Sequence, residues 1–270
     1  MTLGNGRKIT FGLILTGLVL VNLLALEDAA KLLPKIADQP VSFAPESDFQ
    51  VATRQENGSY QELISHSQVI ETAQYFDIHV TSPLGRAFYR FDHIGNLVEY
   101  ESTIPQQGNN SPQANSQFWV SLHRIRPDFY QQSQRLSDGR LENRDVTLNN
   151  QEILIAQLPY TLQKAIKAKQ TTGLNLVGVI DASMRLNFDI RFFVTNNPMV
   201  LVKQYQYPEL ISKAFRSQEI SIVAEVAPTG FISLVYPHKI YFAYGPAPEY
   251  VLVAFWGGDP QKAFFQVRTE

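Results

Sequence analysis

The stretch Tyr75–Ser102, YFDIHVTSPLGRAFYRFDHIGNLVEYES, decides how the chain is read. Its first part alternates: Phe76, Ile78 and Val80 point one way, Asp77, His79 and Thr81 the other. That period of two is the pattern of a half-buried strand. SPLG follows, with Pro83 and Gly85 as turn residues. Then come RAFYRFD, a tip HIGN and LVEYES. The tip length follows from side chains. A tip at His93–Asn96 sets Arg90 against Glu99, Tyr89 against Tyr100 and Phe91 against Val98, whereas a Gly95-Asn96 tip sets Asp92 against Glu99. Facing like charges destabilise, and opposite charges or aromatic pairs gain ~0.2–1 kcal/mol each. The longer tip is therefore expected, with Tyr89, Phe91, Val98 and Tyr100 on one buried face.

Within it, FYRFDHIGNLVEYE resembles one unit of the tyrosine-aspartate repeats of large secreted bacterial proteins, through Tyr89, Asp92, Gly95, Asn96 and Leu97. The resemblance covers about a twentieth of the chain and has no second copy. Hairpin chemistry accounts for the same residues, and no property of that family is carried over.

On the C-terminal side, residues 103–117 (TIPQQGNNSPQANSQ) have no hydrophobic period and read as a mobile loop within one domain. Gln117–Arg126 alternates as a strand. Asp128–Leu136 and Leu141–Leu148 flank the Asp138-Gly139 hairpin signal. Glu152–Leu158 is either the start of a helix or a short strand paired across Asn149-Asn150, and Pro159 favours the strand. Pro159–Gln170 reads as a helix with Leu162, Ala165 and Ile166 on one face, stopped by Gly173. From Leu174 onward strand follows strand: LNLVGVI, SMRLNFDIRFFVT, MVLVKQYQY, EISIVAEV, FISLV, IYFAY, EYVLVAFW and KAFFQVR, with PELISKAFRS as a second short helix. Val251–Trp256 is apolar on both faces, so one face meets the core and the other is covered as well. The fold class expected is mainly β (β-rich α+β): a curved antiparallel sheet or barrel-like body with about two short helices.

On the N-terminal side, Ile9–Leu26 (ITFGLILTGLVLVNLLAL) carries no charge and would make a helix of roughly 27 Å, the thickness of a bilayer core. Arg7 and Lys8 before it, with Glu27 and Asp28 after it, leave the N-terminus in the cytoplasm and the body outside. A cleaved signal peptide has the same polarity, but its apolar region is shorter and its cleavage site better formed. A retained anchor is favoured. The expected organisation is a cytoplasmic tail at 1–8, a transmembrane anchor at 9–26, a linker at 27–48 and one extracytoplasmic domain at 49–270.

The 270 residues are 44% hydrophobic and 18% charged, with formal net charge −2. That composition supports a real core and argues against nucleic-acid binding. The absence of cysteine excludes disulfides, thiolate metal sites and a cysteine nucleophile. The histidines, His66, His79, His93, His123 and His238, form no metal-ligand spacing. Asp77 and His79 share a strand face with His93 nearby, and solvated polar residues account for them better than a metal. No Gly-x-Ser-x-Gly elbow or phosphate loop is present. Asp181, Asp189 and Glu225 lie in apolar strands, where cross-strand pairing with Arg185 and Arg191 explains them more simply than acid/base chemistry. Catalytic, cofactor-binding and metal-site residues are therefore none, and so are cofactors. The leading expectation is a non-catalytic interaction or assembly module near the membrane, with an unidentified protein partner. The second is a carrier or sensor of an apolar ligand such as a lipid, motivated by the strands that are apolar on both faces, with C-terminal aromatics such as Tyr241, Phe242, Tyr244, Tyr250, Phe255 and Trp256 as candidate lining; it needs a cavity of at least ~300 Å³ between sheet and helix. The third is an enzyme with a dispersed active site.

Overall fold

The computed structural model describes residues 36–269, apart from 84, 106–116, 136–138, 150–151, 181, 183, 196–198, 203–204, 206, 231, 236 and 260–262. The expected anchor, Ile9–Leu26, lies outside the described residues. Among those described, no helix is long and apolar enough to cross a membrane.

Fifteen strands form one sheet. In chain order they are β1 (Glu46–Arg54), β2 (Tyr60–Glu71), β3 (Tyr75–Ser82), β4 (Gly85–Asp92), β5 (Leu97–Pro105), β6 (Gln117–Arg126), β7 (Phe129–Arg135), β8 (Leu141–Thr147), β9 (Glu152–Leu154), β10 (Leu174–Val179), β11 (Arg185–Val194), β12 (Ile222–Pro228), β13 (Ile240–Tyr244), β14 (Leu252–Gly257) and β15 (Phe264–Arg268). The spatial order is 8-7-6-5-4-3-2-1-15-14-13-12-11-10-9. Every neighbouring pair is antiparallel except β9 with β10. The chain is thus two meanders joined where β1 pairs with β15. The fold is mainly β, one large curved open antiparallel sheet with few short helices.

The two edges, β8 and β9, are consecutive in sequence, so the sheet must curl to bring them near each other. Arg185 holds them there. Its Nε pairs with Glu152 at 2.7 Å and its Nη2 donates to the Thr147 carbonyl at 3.0 Å. Beneath that bridge Val146, Leu154 and Val179 share one apolar cluster. The backbone edges stay unpaired with each other, which leaves the sheet open.

Among the described residues four α-helices accompany the sheet: α1 (Leu158–Lys167), α2 (Met199–Val202), α3 (Glu209–Ser217) and α4 (Ile232–Val235). α1 lies inside the curve. Tyr160 meets Phe91 of β4 at 4.5 Å between ring centroids, and the Tyr244 hydroxyl of β13 donates to the Pro159 carbonyl at 2.6 Å. Leu158, Leu162, Ala165 and Ile166 are all buried, as their spacing predicts. Full burial of each large side chain is worth ~1.5–3 kcal/mol, so this face holds the helix in place without strong caps. α3 lies on the opposite, convex side against β1 and β15, with Phe215 edge-on to Trp256 at 5.2 Å.

Several expectations are corrected. MVLV and ISLV form the short helices α2 and α4, not strands, because four apolar residues carry no period that distinguishes the two. Glu152–Leu154 is a strand, but it pairs in parallel with β10 and not across Asn149-Asn150. The expected loop at 103–117 is shorter at both ends, since Thr103–Pro105 pair with Gln117–Trp119. The His93–Asn96 tip is observed, as are the Arg90–Glu99 and Tyr89–Tyr100 pairs. A bulge then sets Phe91 against Leu97 in place of Val98. It turns Leu97 fully into the core, where its carbonyl accepts the Tyr130 hydroxyl at 2.8 Å.

Residues 36–45, read from sequence as linker, lie against the body and run across one mouth of the curve. Val41 is buried against Gly95, where an added Cβ would sit 2.5 Å from the valine Cγ1. Gly95 also has φ +76°, so the tip needs glycine for two reasons.

Candidate functional site

The concave side is the obvious place for a ligand, and it is filled. Gln163 of α1 is 1% exposed and ties the helix to its surroundings. Its Nε2 donates to the carbonyls of Ser42, Glu249 and Tyr250, and its Oε1 accepts the Ser42 N–H at 2.9 Å. Lys167 Nζ donates to the Pro40 carbonyl and the Ser42 hydroxyl, each at 2.8 Å. Phe43 then enters a cage of Phe76, Phe91 and Tyr160, at centroid distances of 4.8, 5.9 and 4.9 Å. Burial pushes the Tyr160, Tyr244 and Tyr89 phenols well up from their ordinary pKa and moves Tyr130 to about 12. Burial lowers Lys164 as well, against the opposing pull of Asp38 and Asp92.

The space left beside Phe43 is about 60 Å³, bounded by Ser42, Ser47, Phe49, Ser67 and Tyr160 among others. That is room for water, not for a lipid tail, which needs ~300 Å³ or more. The Ser47 hydroxyl faces no hydrogen-bond partner there. The aromatics counted from sequence as a cavity lining instead pack into two cores. Tyr241 stacks on Trp256 at 5.3 Å on the convex side, and Phe242 stacks on Phe255 at 6.0 Å on the concave side.

The convex face of β3–β8 is different. Strand alternation that buries Ile78, Tyr89 and Leu122 aims their neighbours outward, and no helix among the described residues covers them. Cross-strand register arranges them in rows. One row runs Arg86, Thr103, Trp119, Arg135. The next runs His79, Phe88, Glu101, Ser121. The third holds Asp77, Arg90, Glu99 and His123. Two open depressions of about 380 and 330 Å³ lie along the first two rows and share Glu101 and Thr103, so they form one trough.

The polar groups of this face are fixed by one another. The Trp119 indole N–H donates to Glu101 Oε1 at 2.7 Å. Arg90 makes a two-bond pair with Asp77, at 2.7 and 2.8 Å, and a third bond to Glu99 at 3.2 Å. Its guanidinium also lies 5.5 Å from the Tyr75 ring centre and 5.3 Å from that of Phe88. The hydrogen bonds from Arg90 hold the Asp77 carboxyl below its ordinary pKa. Arg86 and Arg135 are exposed and make no ion pair among the described residues.

The residues weighed from sequence fall as follows. Asp77 and His79 share the outward face, but His93 meets inward-facing Phe76 edge-on at 4.8 Å between ring centroids, so the three do not converge. His66 binds Asp48 at 2.7 Å and Glu46 at 3.3 Å, and the hydrogen bond it donates to Asp48 raises its pKa. No group of three His, Asp or Glu could hold a metal among the described residues. Asp189 pairs with Arg191 at 3.2 Å along one strand, Glu225 with Lys239 at 2.9 Å, and Arg185 with Glu152. Ion pairing is thus observed, with partly different partners from those expected. Asp181 lies outside the described residues. Sequence reasoning passed over Gln163, whose signal is an uncharged polar residue on the apolar stripe of a helix. It also passed over the Trp119–Glu101 pair, which no local pattern marks.

The sequence matches no protein-family description and no curated protein. Among solved structures it is similar to a β-barrel-like protein of a domain of unknown function, DUF1849, from Brucella abortus. The similarity covers 85% of this chain and 98% of that one, at 8% identity and a TM-score of 0.49.

Proposed function

We propose that this chain is a non-catalytic interaction module, held at a membrane by Ile9–Leu26, with its N-terminus in the cytoplasm and its body outside. The binding surface is the trough on the convex face of β3–β8. One observation carries the reading: the interior is packed around α1 and residues 36–45, whereas the described residues leave Trp119 and part of Phe88 accessible between fixed polar groups. Exposed aromatic and arginine side chains are the ones that anchor interfaces. The apolar run at 9–26 supports the anchor, and the charge order around it supports the orientation.

The test is site-specific photo-crosslinking in native membranes. A benzophenone side chain at Phe88 is expected to give a discrete high-mass adduct that Arg86→Glu weakens. The same group at Lys213, on α3, is expected to give none. An adduct at Lys213 with nothing at Phe88 would place the binding surface elsewhere and end this reading.

A further inference from the structure

The composition of the trough says what kind of molecule fits it. From His79 on β3 to Leu141 on β8 it crosses five strand spacings, roughly 24 Å, and both depressions are open. An open trough of that length takes a section of a polymer better than a small molecule. Trp119 offers a flat apolar surface whose tilt is already fixed by Glu101, so little side-chain freedom is lost on binding. Two strands away Phe88, half-buried beneath the Arg90 guanidinium and beside the His79 ring, adds a smaller apolar patch. Thr103, Thr81 and Glu101 supply hydroxyl and carboxylate groups at the rim of these rings. A pyranose ring is the matching shape: one face of C–H bonds and an edge of hydroxyls.

Charge narrows the class further. Arg86 and Arg135 stand in the same row on β4 and β7, three strand spacings or roughly 14 Å apart. Neither has a carboxylate partner among the described residues, so each presents a guanidinium fork suited to a carboxylate. The chain lacks the basic excess of a nucleic-acid binder, with formal net charge −2 and Asp77, Glu99 and Glu101 on this same face. We infer that the trough binds an acidic polysaccharide, an extended chain of pyranose rings bearing carboxylates, with Trp119 as the stacking surface, Phe88 as a neighbouring apolar contact and Arg86 and Arg135 as carboxylate partners. This rests on the trough being the interaction surface proposed above.

The experiment uses the full chain in lauryldimethylamine oxide, titrated with oligogalacturonate. Tryptophan fluorescence and calorimetry are the readouts. The chain has two tryptophans, and Trp256 is wholly buried, so a stacking signal belongs to Trp119. Saturable binding is expected, with no binding of neutral dextran. Arg86→Ala with Arg135→Ala should weaken it at least tenfold at unchanged melting temperature, and Trp119→Ala should remove it. Binding unchanged by these substitutions, or equal binding of oligothymidylate, would overturn the inference. So would no binding of oligogalacturonate by a chain that still forms the Phe88 crosslink. That last result would leave the interaction reading standing, whereas loss of the crosslink as well would end both.

Discussion

The two halves of the sheet are built from the same kind of strand and end in opposite states. β12–β14 are covered twice, by the cluster around α1 on the concave side and by the cluster of α3, Val202 and Tyr205 on the convex side, which also covers β15 and β1. Among the described residues, β3–β8 are covered on the concave side only. The strands differ accordingly. IVAEVAP and LVAFWG are apolar at nearly every position, whereas YFDIHVTS alternates. A strand buried on both faces gains area from each residue but has no surface left for a partner. A strand buried on one face keeps half its side chains for recognition, and here those include the trough.

Removing Trp256 from the doubly covered half should have the largest effect. It is 0% exposed, between Tyr241 and Phe215. Trp256→Ala is expected to cost ~3–5 kcal/mol by denaturant unfolding. A cost near that of a surface change would break the contrast. Next comes the seam between the halves. Gln163→Ala leaves the carbonyls of Ser42, Glu249 and Tyr250 without this donor, and should cost ~1–3 kcal/mol. Because Gln163 also holds residues 36–45, limited proteolysis should cut that segment sooner than in the unaltered chain.

The singly covered half should respond weakly. Asp77 titrates low because of its bonds from Arg90. Its contribution is therefore complete above the ordinary carboxylate pKa and lost as pH falls through the depressed value. Solvent screening holds this to about 1 kcal/mol or less. Asp77→Asn should flatten the acid limb of a stability–pH curve by that much. Trp119→Ala should change stability by no more than about 1 kcal/mol while removing ligand binding. The smallest effect belongs to His66, whose pKa is raised chiefly by its hydrogen bond with Asp48. Its contribution is full below the ordinary histidine value of 6.5 and fades as pH rises through the raised one. His66→Gln should remove a small alkaline-side slope, read by melting temperature between pH 6 and 8.

The hairpin at Tyr75–Ser102 was legible because its information is local. Facing residues along two strands set the tip length, through the Arg90–Glu99 and Tyr89–Tyr100 pairs. The bulge that brings Leu97 inward was not legible, since the Tyr130 hydroxyl that uses its carbonyl comes from β7, 33 residues away. The site was less legible than the fold. Trp119 reads in sequence as one more strand aromatic, and so does Trp256. One ends in a core and the other in an open trough.

Taken alone, the sequence determined the period of most strands, the positions of α1 and α3, the mainly β class and the absence of cysteine chemistry. These depend on residues within a few positions of one another, where side-chain direction follows backbone period. Tertiary structure alone decided that β8 and β9 meet through Arg185, that residues 36–45 close over α1, and that the interior is filled. It also left the convex face of β3–β8 without a covering element among the described residues. Each of these is a contact between segments far apart in the chain, and whether a face is covered depends on what folds over it.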